Sequence, residues 1–197
     1  LHLCNKNIQQ IKTENITTHN LLVDVCMAAN YEAESLIRDH PQYQTKYNDS
    51  QICTVLARSF ADIGDIVRGR DLYRGNKKKK QNETEREKKK LQQNLKNIFG
   101  NIYEELIKKG SNGELQTRYQ NDTGDFFKLR EDWWYANRQE VWKALTCSEQ
   151  LKGNKYFRAT CGGDNESPSM ARDKCRCGDR DVTIVPTYFD YVPQYLR

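Results

Sequence analysis

The sequence lacks a long apolar run. No window approaches the roughly 18 uncharged apolar residues that a membrane-spanning helix needs, and the most apolar short stretch, residues 21–29, is interrupted by Asp24. A leader with a basic region followed by an apolar one is also missing at Leu1. We therefore expect either that processing has removed a leader or that the chain begins inside a larger protein.

Catalytic motifs are missing as well. The chain contains no G-x-S-x-G, P-loop or H-E-x-x-H pattern. Its three histidines, His2, His19 and His40, all lie near the N-terminus, and nothing local pairs them with a nucleophile. We expect no enzymatic activity and no cofactor.

The seven cysteines lack the spacing of a metal site, since no C-x-x-C pair occurs among them. Their wide, irregular spacing is typical of a disulfide framework in an oxidising compartment. Cys161, Cys175 and Cys177 form a zinc site only with a histidine from elsewhere, and a disulfide staple explains them more simply. We predict no metal site. Because seven is odd, either one thiol is free or one partner lies outside the chain, and we favour the second interpretation.

Positive charge is concentrated in one window. Of 32 basic and 27 acidic residues, residues 77–90 hold eight and three, so the rest of the chain carries no net charge. Clustered cations attract phosphate or sulfate groups with strong salt dependence, and outside the cell the anion is expected to be a sulfated glycan. The predicted glycan-binding residues are Lys77, Lys78, Lys79, Lys80, Arg86, Lys88, Lys89, Lys90 and Lys96.

Two other interpretations of this window stay open. It is equally typical of a solvated charge run with no ligand. The rival function is a nucleic-acid-binding helical protein that uses the same lysines on phosphate. Redox state separates the rival from an exterior protein, because intact disulfides favour the exterior and seven free thiols favour the rival.

Apolar residues at helical spacing predict four long helices, over residues 18–39, 50–67, 82–109 and 125–146. Pro41 is expected to end the first, because the residue before proline avoids the helical region. We expect a polar loop over residues 113–124, an irregular disulfide-stapled segment over 147–186, the start of a further helix over 188–197, and no strands of weight. The fold class is mainly α: a helical bundle with long loops.

The aromatic residues of the last long helix favour core packing over a ligand platform. Trp133, Trp134 and Trp142 recur at helical spacing. Buried tryptophans need polar partners, and the nearby candidates are Arg130, Asp132 and Arg138.

Three long, ordered blocks carry a family resemblance. They are LARSFADIGDIVRGRDLY (residues 56–73), WWYANRQEVWKALTC (133–147) and VPTYFDYVPQYLR (185–197). The chain resembles the Duffy-binding-like domains of the alpha class, which belong to the malaria parasite's erythrocyte membrane protein 1. The resemblance covers the whole chain and marks it as a partial domain: residues 1–45 from a first subdomain, 46–150 as a helical-bundle subdomain, and 151–197 as a Cys-rich loop with the start of the next helix.

The resemblance implies a helical adhesion module without enzymatic activity on the surface of infected erythrocytes. Its implied partners are receptors on uninfected erythrocytes, bound in rosetting: heparan sulfate-like glycans, blood-group sugars or complement receptor. Host antibodies are a further implied partner, nucleic acid is not one, and the membrane anchor of the parent protein is implied to lie far downstream. A structural spacer with variable loops under antibody pressure fits the same sequence.

The resemblance also implies roles for single residues. Cys53 and Cys147 match positions on family helices that are bridged to each other, and Cys4 is then expected to pair with a cysteine upstream of Leu1. Three pairings remain for the other four, Cys26, Cys161, Cys175 and Cys177. A direct Cys175–Cys177 bond is awkward, so each is expected to pair elsewhere. Scaffold roles are implied for Asp62, Gly64, Asp65, Trp133, Trp134 and Trp142.

Overall fold

Helices dominate the computed structural model, which describes residues 18–44, 51–70, 81–109, 113–122, 124–162, 168–171, 173–178 and 184–197. The α-helices in this part of the chain are α1 (Thr18–Gln44), α2 (Ile52–Arg68), α3 (Gln81–Lys109), α4 (Gly113–Tyr119) and α5 (Phe127–Leu145). Strands β1 (Ala159–Cys161) and β2 (Ser169–Met170) pair antiparallel, and 3₁₀ turns cover Glu149–Leu151, Phe189–Tyr191 and Gln194–Leu196. The predicted mainly α fold class is confirmed.

The long helices form where apolar residues recur every three or four positions, so that one face is apolar. In α2 the apolar positions that recur at helical spacing are buried at Ile52, Leu56, Phe60, Ile63 and Val67, and half-buried at Val55. In α3 the corresponding positions are buried at Leu91, Leu95, Ile98 and Ile102, and half-buried at Leu106. The predicted bounds of both helices differ from the observed ones by two residues or fewer at each end.

The structure corrects three local predictions. Helix α1 continues through Pro41 to Gln44, because proline fixes a helical φ and removes a single hydrogen-bond donor. The predicted polar loop contains α4, which is held by the buried Tyr119. The expected helix at the end of the chain is a pair of 3₁₀ turns, and Pro193, with no backbone N–H to donate, separates them.

The contacts of the chain divide it into two compact units. The first is built from Cys26–Gly64 and Arg138–Arg197, and the second mainly from Asp65–Asn137. Each unit has its own buried core. The three-part division expected from the family resemblance stays a prediction.

In the first unit Trp142 of α5 lies between two aromatic rings. The ring centroid of Phe60 is 5.1 Å away and that of Tyr156 is 6.0 Å away, both in edge-to-face geometry. Edge-to-face contacts of this kind add about 0.5–1.5 kcal/mol to the burial of the rings. This cluster fixes α2 and the segment after α5 against α5.

Two disulfides staple the first unit, and they correct the predicted pairing. Cys53 is bonded to Cys175, with their Cα atoms 5.5 Å apart, and Cys161 is bonded to Cys177. The predicted Cys53–Cys147 bond is therefore wrong. Cys53 is buried in α2, where Cys175 of the Cys-rich segment bonds to it. Cys147 is an exposed thiol after the end of α5. The expectation that Cys175 and Cys177 pair elsewhere than with each other is confirmed. Cys4 lies outside the described residues.

The last residues of the chain are held to the first unit by a buried ion pair. Arg138 of α5 donates from Nε to Asp190 Oδ2 at 2.9 Å and from Nη2 to Asp190 Oδ1 at 2.5 Å. It also donates to the carbonyl oxygen of Thr187 at 3.0 Å. Asp190 is fully buried. Bidentate pairs of this kind fix geometry as well as charge, so residues 187–190 have one position on α5.

The second unit contains two buried arginines. Arg130 donates from Nε to the carbonyl oxygen of Val67 at 2.6 Å. Its Nη2 donates to the carbonyl oxygen of Ile66 at 3.0 Å and to Oε1 of Gln92 at 2.8 Å. Arg68 donates to Asp65 at 3.1 Å and to Glu131 at 3.4 Å. These groups bring the end of α2, α3 and α5 together.

Gly69 makes the approach of Arg130 possible. Its φ of 73° is a left-handed conformation that ends α2. A Cβ at this position would lie 2.9 Å from the guanidinium of Arg130, which is closer than side chains tolerate. Glycine is therefore required here both by its conformation and by the lack of space.

The tryptophans lie in the core, but their predicted polar partners are engaged elsewhere. Trp133 packs edge-to-face on Phe99 at 6.1 Å, and the guanidinium of Arg68 lies 6.0 Å from the ring centre of Trp134. Within the described part of the chain, the indole N–H groups of Trp133 and Trp142 have no hydrogen-bond partner. The hydrogen bonds of Arg130 and Arg138 go to carbonyl and acidic oxygens instead.

Candidate functional site

Helix α3 presents three of the predicted glycan-binding residues on its exposed side. Arg86, Lys89 and Lys90 are exposed, and they are spaced three and four positions apart, which places them on one face of a helix. The opposite face carries the buried Leu91 and Leu95. We call Arg86, Lys89 and Lys90 the basic face.

The remaining predicted residues do not join the basic face. Lys96 is 3.3 Å from the Asp125 carboxylate, so its charge is already paired. Lys88 is half-buried beside the core side of the helix. Lys77–Lys80 lie outside the described residues, and their place in the site stays a prediction.

The basic face keeps its charge available. In the described ranges, none of its three side chains forms an ion pair. Glu85 and Glu87 are exposed in the same turns and reduce the local positive potential at a distance. Neighbouring cations on such a face are about 5–6 Å apart at Cβ. This row of cations suits a ligand with repeated negative charges, such as a polyanion, better than a single small anion in a pocket.

A second basic feature is already neutralised. A shallow cavity in the second unit is lined by Gly113, Glu114, Thr117, Arg118 and Lys128. The Arg118 guanidinium donates to both carboxylate oxygens of Asp132 at 2.7 and 2.8 Å. Asp132 also accepts from the Tyr119 hydroxyl at 2.8 Å. These bonds lower the pKa of Asp132, with the Arg118 hydrogen bond as the largest cause, so the pair stays charged and Arg118 is occupied.

Sequence reasoning missed the role of the buried arginines. Arg130, Trp134 and Arg138 recur every four positions in α5, so the spacing that placed tryptophan in the core also places the arginines there. Their partners are backbone carbonyls of α2 and Asp190, which are distant in sequence. The signal for burial was present, but the partners were not predictable from it.

Neither a metal-binding cluster nor a membrane-spanning helix occurs among the described residues. No group of three or more His, Cys, Asp or Glu side chains there is arranged to hold a metal ion. None of the described helices combines the length and the apolar character needed to cross a bilayer.

Comparison with known proteins gives one family. The model of the Duffy binding domain family matches residues 1–197, and no curated protein matches the chain. The chain is 39% identical to the NTS-DBL1(alpha-1) domain of Plasmodium falciparum membrane protein 1 (PfEMP1) from the varO strain, with a TM-score of 0.68 over 99% of this chain and 40% of that chain.

Two further solved structures are similar. The NTS-DBL1-alpha and CIDR-gamma double domain of varO PfEMP1 from Plasmodium falciparum is 38% identical, with a TM-score of 0.69 over 99% of this chain and 25% of that one. The ICAM-1-binding PfEMP1 IT4var13 DBLbeta domain is 31% identical, with a TM-score of 0.65 over 100% of this chain and 39% of that one. The chain thus spans less than half the length of each of these relatives.

Proposed function

The chain belongs to the Duffy-binding domain family, and we propose that it is part of a cell-adhesion module that binds a receptor on host erythrocytes. The similarity to PfEMP1 domains supports this. We further propose that the module belongs to a variant surface antigen displayed on the infected erythrocyte, facing outward, and that it has no catalytic role. The adhesion that we propose is rosetting, in which the module binds receptors on uninfected erythrocytes.

We propose that the basic face, together with Lys77–Lys80, contacts a sulfated glycosaminoglycan. The observation that carries this is that Arg86, Lys89 and Lys90 are exposed on one face of α3, without an ion pair in the described part of the chain. Because the opposite side of α3 is packed in the core, the helix holds the three cations in a fixed row. Attraction between such a row and a polyanion is strong at low salt and weakens as salt screens it.

A sulfated glycan is favoured over nucleic acid by the disulfides. Cys53–Cys175 and Cys161–Cys177 are closed, and closed structural disulfides are typical of proteins outside the cytosol. The polyanions available there include sulfated polysaccharides of host cells. This supports the exterior adhesin over the nucleic-acid-binding rival.

The test compares two triple variants with the same change in charge. R86Q/K89Q/K90Q removes the basic face. K152Q/K155Q/R158Q removes three other exposed cations, also two lysines and one arginine. Binding to intact erythrocytes is measured for both, with and without soluble heparin as competitor. We expect the first variant to bind several-fold more weakly and the second to bind close to the unmodified protein.

Three outcomes contradict this proposal at different levels. Equal losses in both variants would mean that net charge, rather than the basic face, controls binding. Loss of heparin competition without loss of erythrocyte binding would place the receptor site elsewhere on the scaffold. Absence of erythrocyte binding by the unmodified protein would contradict the adhesion function itself.

A further inference from the structure

Two cysteines of the first unit, one on α1 and one just after α5, are free thiols. Cys26 is half-buried in α1, and Cys147 is exposed just after α5. Cys147 Sγ donates to the side-chain oxygen of Asn30 at 3.0 Å. Asn30 is one helical turn after Cys26, so the two residues share a face of α1 with Cβ atoms about 5–6 Å apart.

A second interaction places Cys26 on the same side. The charge of Glu140 acts on the Cys26 thiol, and Glu140 is on α5, two turns before Cys147. The positions 26 and 30 of α1 therefore both face the C-terminal part of α5 and the residues that follow it. Cys147 has left the helix, so rotation of its side chain and a small backbone shift can move its sulfur from Asn30 toward Cys26.

We propose that Cys26 and Cys147 form a third disulfide, which joins α1 to the end of α5. The two closed disulfides show that the fold suits an oxidising environment. A disulfide between two thiols requires that their Cα atoms come within about 7 Å of each other. The bond would leave Cys4 as the one cysteine without a partner in this chain, in agreement with the odd count.

The chemistry needs an oxidant of the disulfide class, such as glutathione disulfide or a thiol oxidoreductase. The Cys147 thiolate attacks one sulfur of the oxidant and forms a mixed disulfide, and the other sulfur leaves as a thiolate. The Cys26 thiolate then attacks Cys147 Sγ and releases the second thiolate. Overall, the two cysteines lose two protons and two electrons, and the oxidant becomes two thiols.

Burial and the charge of Glu140 shape how the experiment must be done. Burial, followed by Glu140, raises the pKa of the Cys26 thiol to about 11 in the folded protein. A thiol with so high a pKa reacts slowly with alkylating reagents. Failure to label the folded protein is therefore no proof of a disulfide, and thiols must be labelled after unfolding.

The sequence suits peptide mapping. Trypsin cleavage after lysine and arginine places each of the seven cysteines in a peptide of its own, with Cys26 in residues 13–38 and Cys147 in residues 144–152. The protein is made by secretion into an oxidising medium, then unfolded in acidic denaturant with a maleimide to cap free thiols, digested without reductant and analysed by mass spectrometry. We expect residues 13–38 joined to residues 144–152, with the mass of two hydrogens lost.

The result that overturns the proposal is equally direct. Maleimide on both peptides, or a bond from either one to another cysteine such as Cys4, contradicts it. As controls, C147S must expose Cys26 to the maleimide and C26S must expose Cys147, while the Cys53–Cys175 link stays intact. In addition, C26S, C147S and the double variant must lower Tm by the same amount, because one bond is lost in each case. The map of the unmodified protein decides the question even if a variant fails to fold.

Discussion

The arginines buried in the two units and the basic face of α3 carry the same charge and differ in what surrounds it. Arg68, Arg130 and Arg138 are nearly inaccessible to solvent, and each donates to carbonyl or carboxylate oxygens. The cations of the basic face are exposed, with their side chains in solvent. Charge that is buried and bonded holds the fold, whereas charge that is exposed and unpaired is available to a ligand.

Substitutions of the buried arginines or their partners should therefore lower stability, whereas substitutions on the basic face should weaken binding. Removing one partner of a buried ion pair leaves an uncompensated charge in the interior, which is costly. Removing exposed cations changes stability little, because water already solvates them. We expect the loss of stability to be largest for the buried ion pair and smallest for the exposed cations.

The largest loss is expected for D190A. It leaves the Arg138 guanidinium buried without its bidentate partner, at a cost of about 3–5 kcal/mol in the free energy of unfolding. Urea unfolding followed by circular dichroism measures it. The matched control is E140Q, which removes the carboxylate of the exposed Lys143–Glu140 pair, 2.8 Å apart, and should cost less than about 1 kcal/mol. Equal losses in the two variants would show that burial does not decide the role of these charges.

R130M should be the next most destabilising change. It removes the Arg130 donor from the carbonyl oxygen of Val67 and from Gln92 Oε1, and an unsatisfied buried acceptor costs about 1–3 kcal/mol. The carbonyl oxygen of Ile66 keeps the Gly69 N–H and the Gln92 amide as donors. We expect a total loss of about 3 kcal/mol in urea unfolding. R130K keeps the charge but lacks the planar fork, so it should recover only part of the loss. Full recovery by lysine would mean that charge, and not the set of hydrogen bonds, is what this position needs.

Asp132 tests an intermediate case, because its pair with Arg118 is partly exposed. The pKa of Asp132 is lower in the folded protein than its ordinary value of 3.8. The carboxylate therefore stabilises the fold at pH values above 3.8, and this contribution is lost as the pH falls through the lower folded pKa. D132N should therefore cost about 1 kcal/mol at neutral pH and flatten the fall in stability on acidification. The measurement is urea unfolding at several pH values from neutral to strongly acidic. An unchanged acid profile in D132N would contradict the assignment.

The smallest effect on stability is expected for R86Q/K89Q/K90Q. These side chains have no packing role in the described structure, so the free energy of unfolding should change by less than about 0.5 kcal/mol. Thermal unfolding measures this, with K152Q/K155Q/R158Q as the control of equal charge. A loss of several kcal/mol would mean that the basic face is part of the scaffold.

The sequence predicted the long helices well and the connections between distant residues poorly. Helices α2 and α3 follow from apolar residues that repeat within a few positions, which is local information. Helix α4 was missed because it is short and Tyr119 is its buried residue. The hydroxyl of Tyr119 donates to Asp132, which lies in the next helix. The partner of Cys53 was predicted wrongly from the family resemblance, and cysteine positions alone do not give the pairing.

The candidate site shows the same limit. The sequence grouped nine basic residues by their closeness along the chain. In the structure Arg86, Lys89 and Lys90 are exposed on the basic face. Lys96 is paired with Asp125, which is distant in sequence. Helical spacing predicted which side of α3 faces solvent, but only the fold showed which charge is already neutralised.

The most direct test measures heparin affinity and Tm on the same two variants, R86Q/K89Q/K90Q and R130M, across a series of salt concentrations. The account predicts opposite outcomes. The basic-face variant keeps its Tm, loses heparin affinity and shows a flatter dependence on salt, because fewer ionic contacts form. R130M has a lower Tm and, at temperatures where it is folded, binds heparin as the unmodified protein does. Heparin affinity lost in R130M while folded, or retained with its full salt dependence in the basic-face variant, would contradict the division between the two sets of charges.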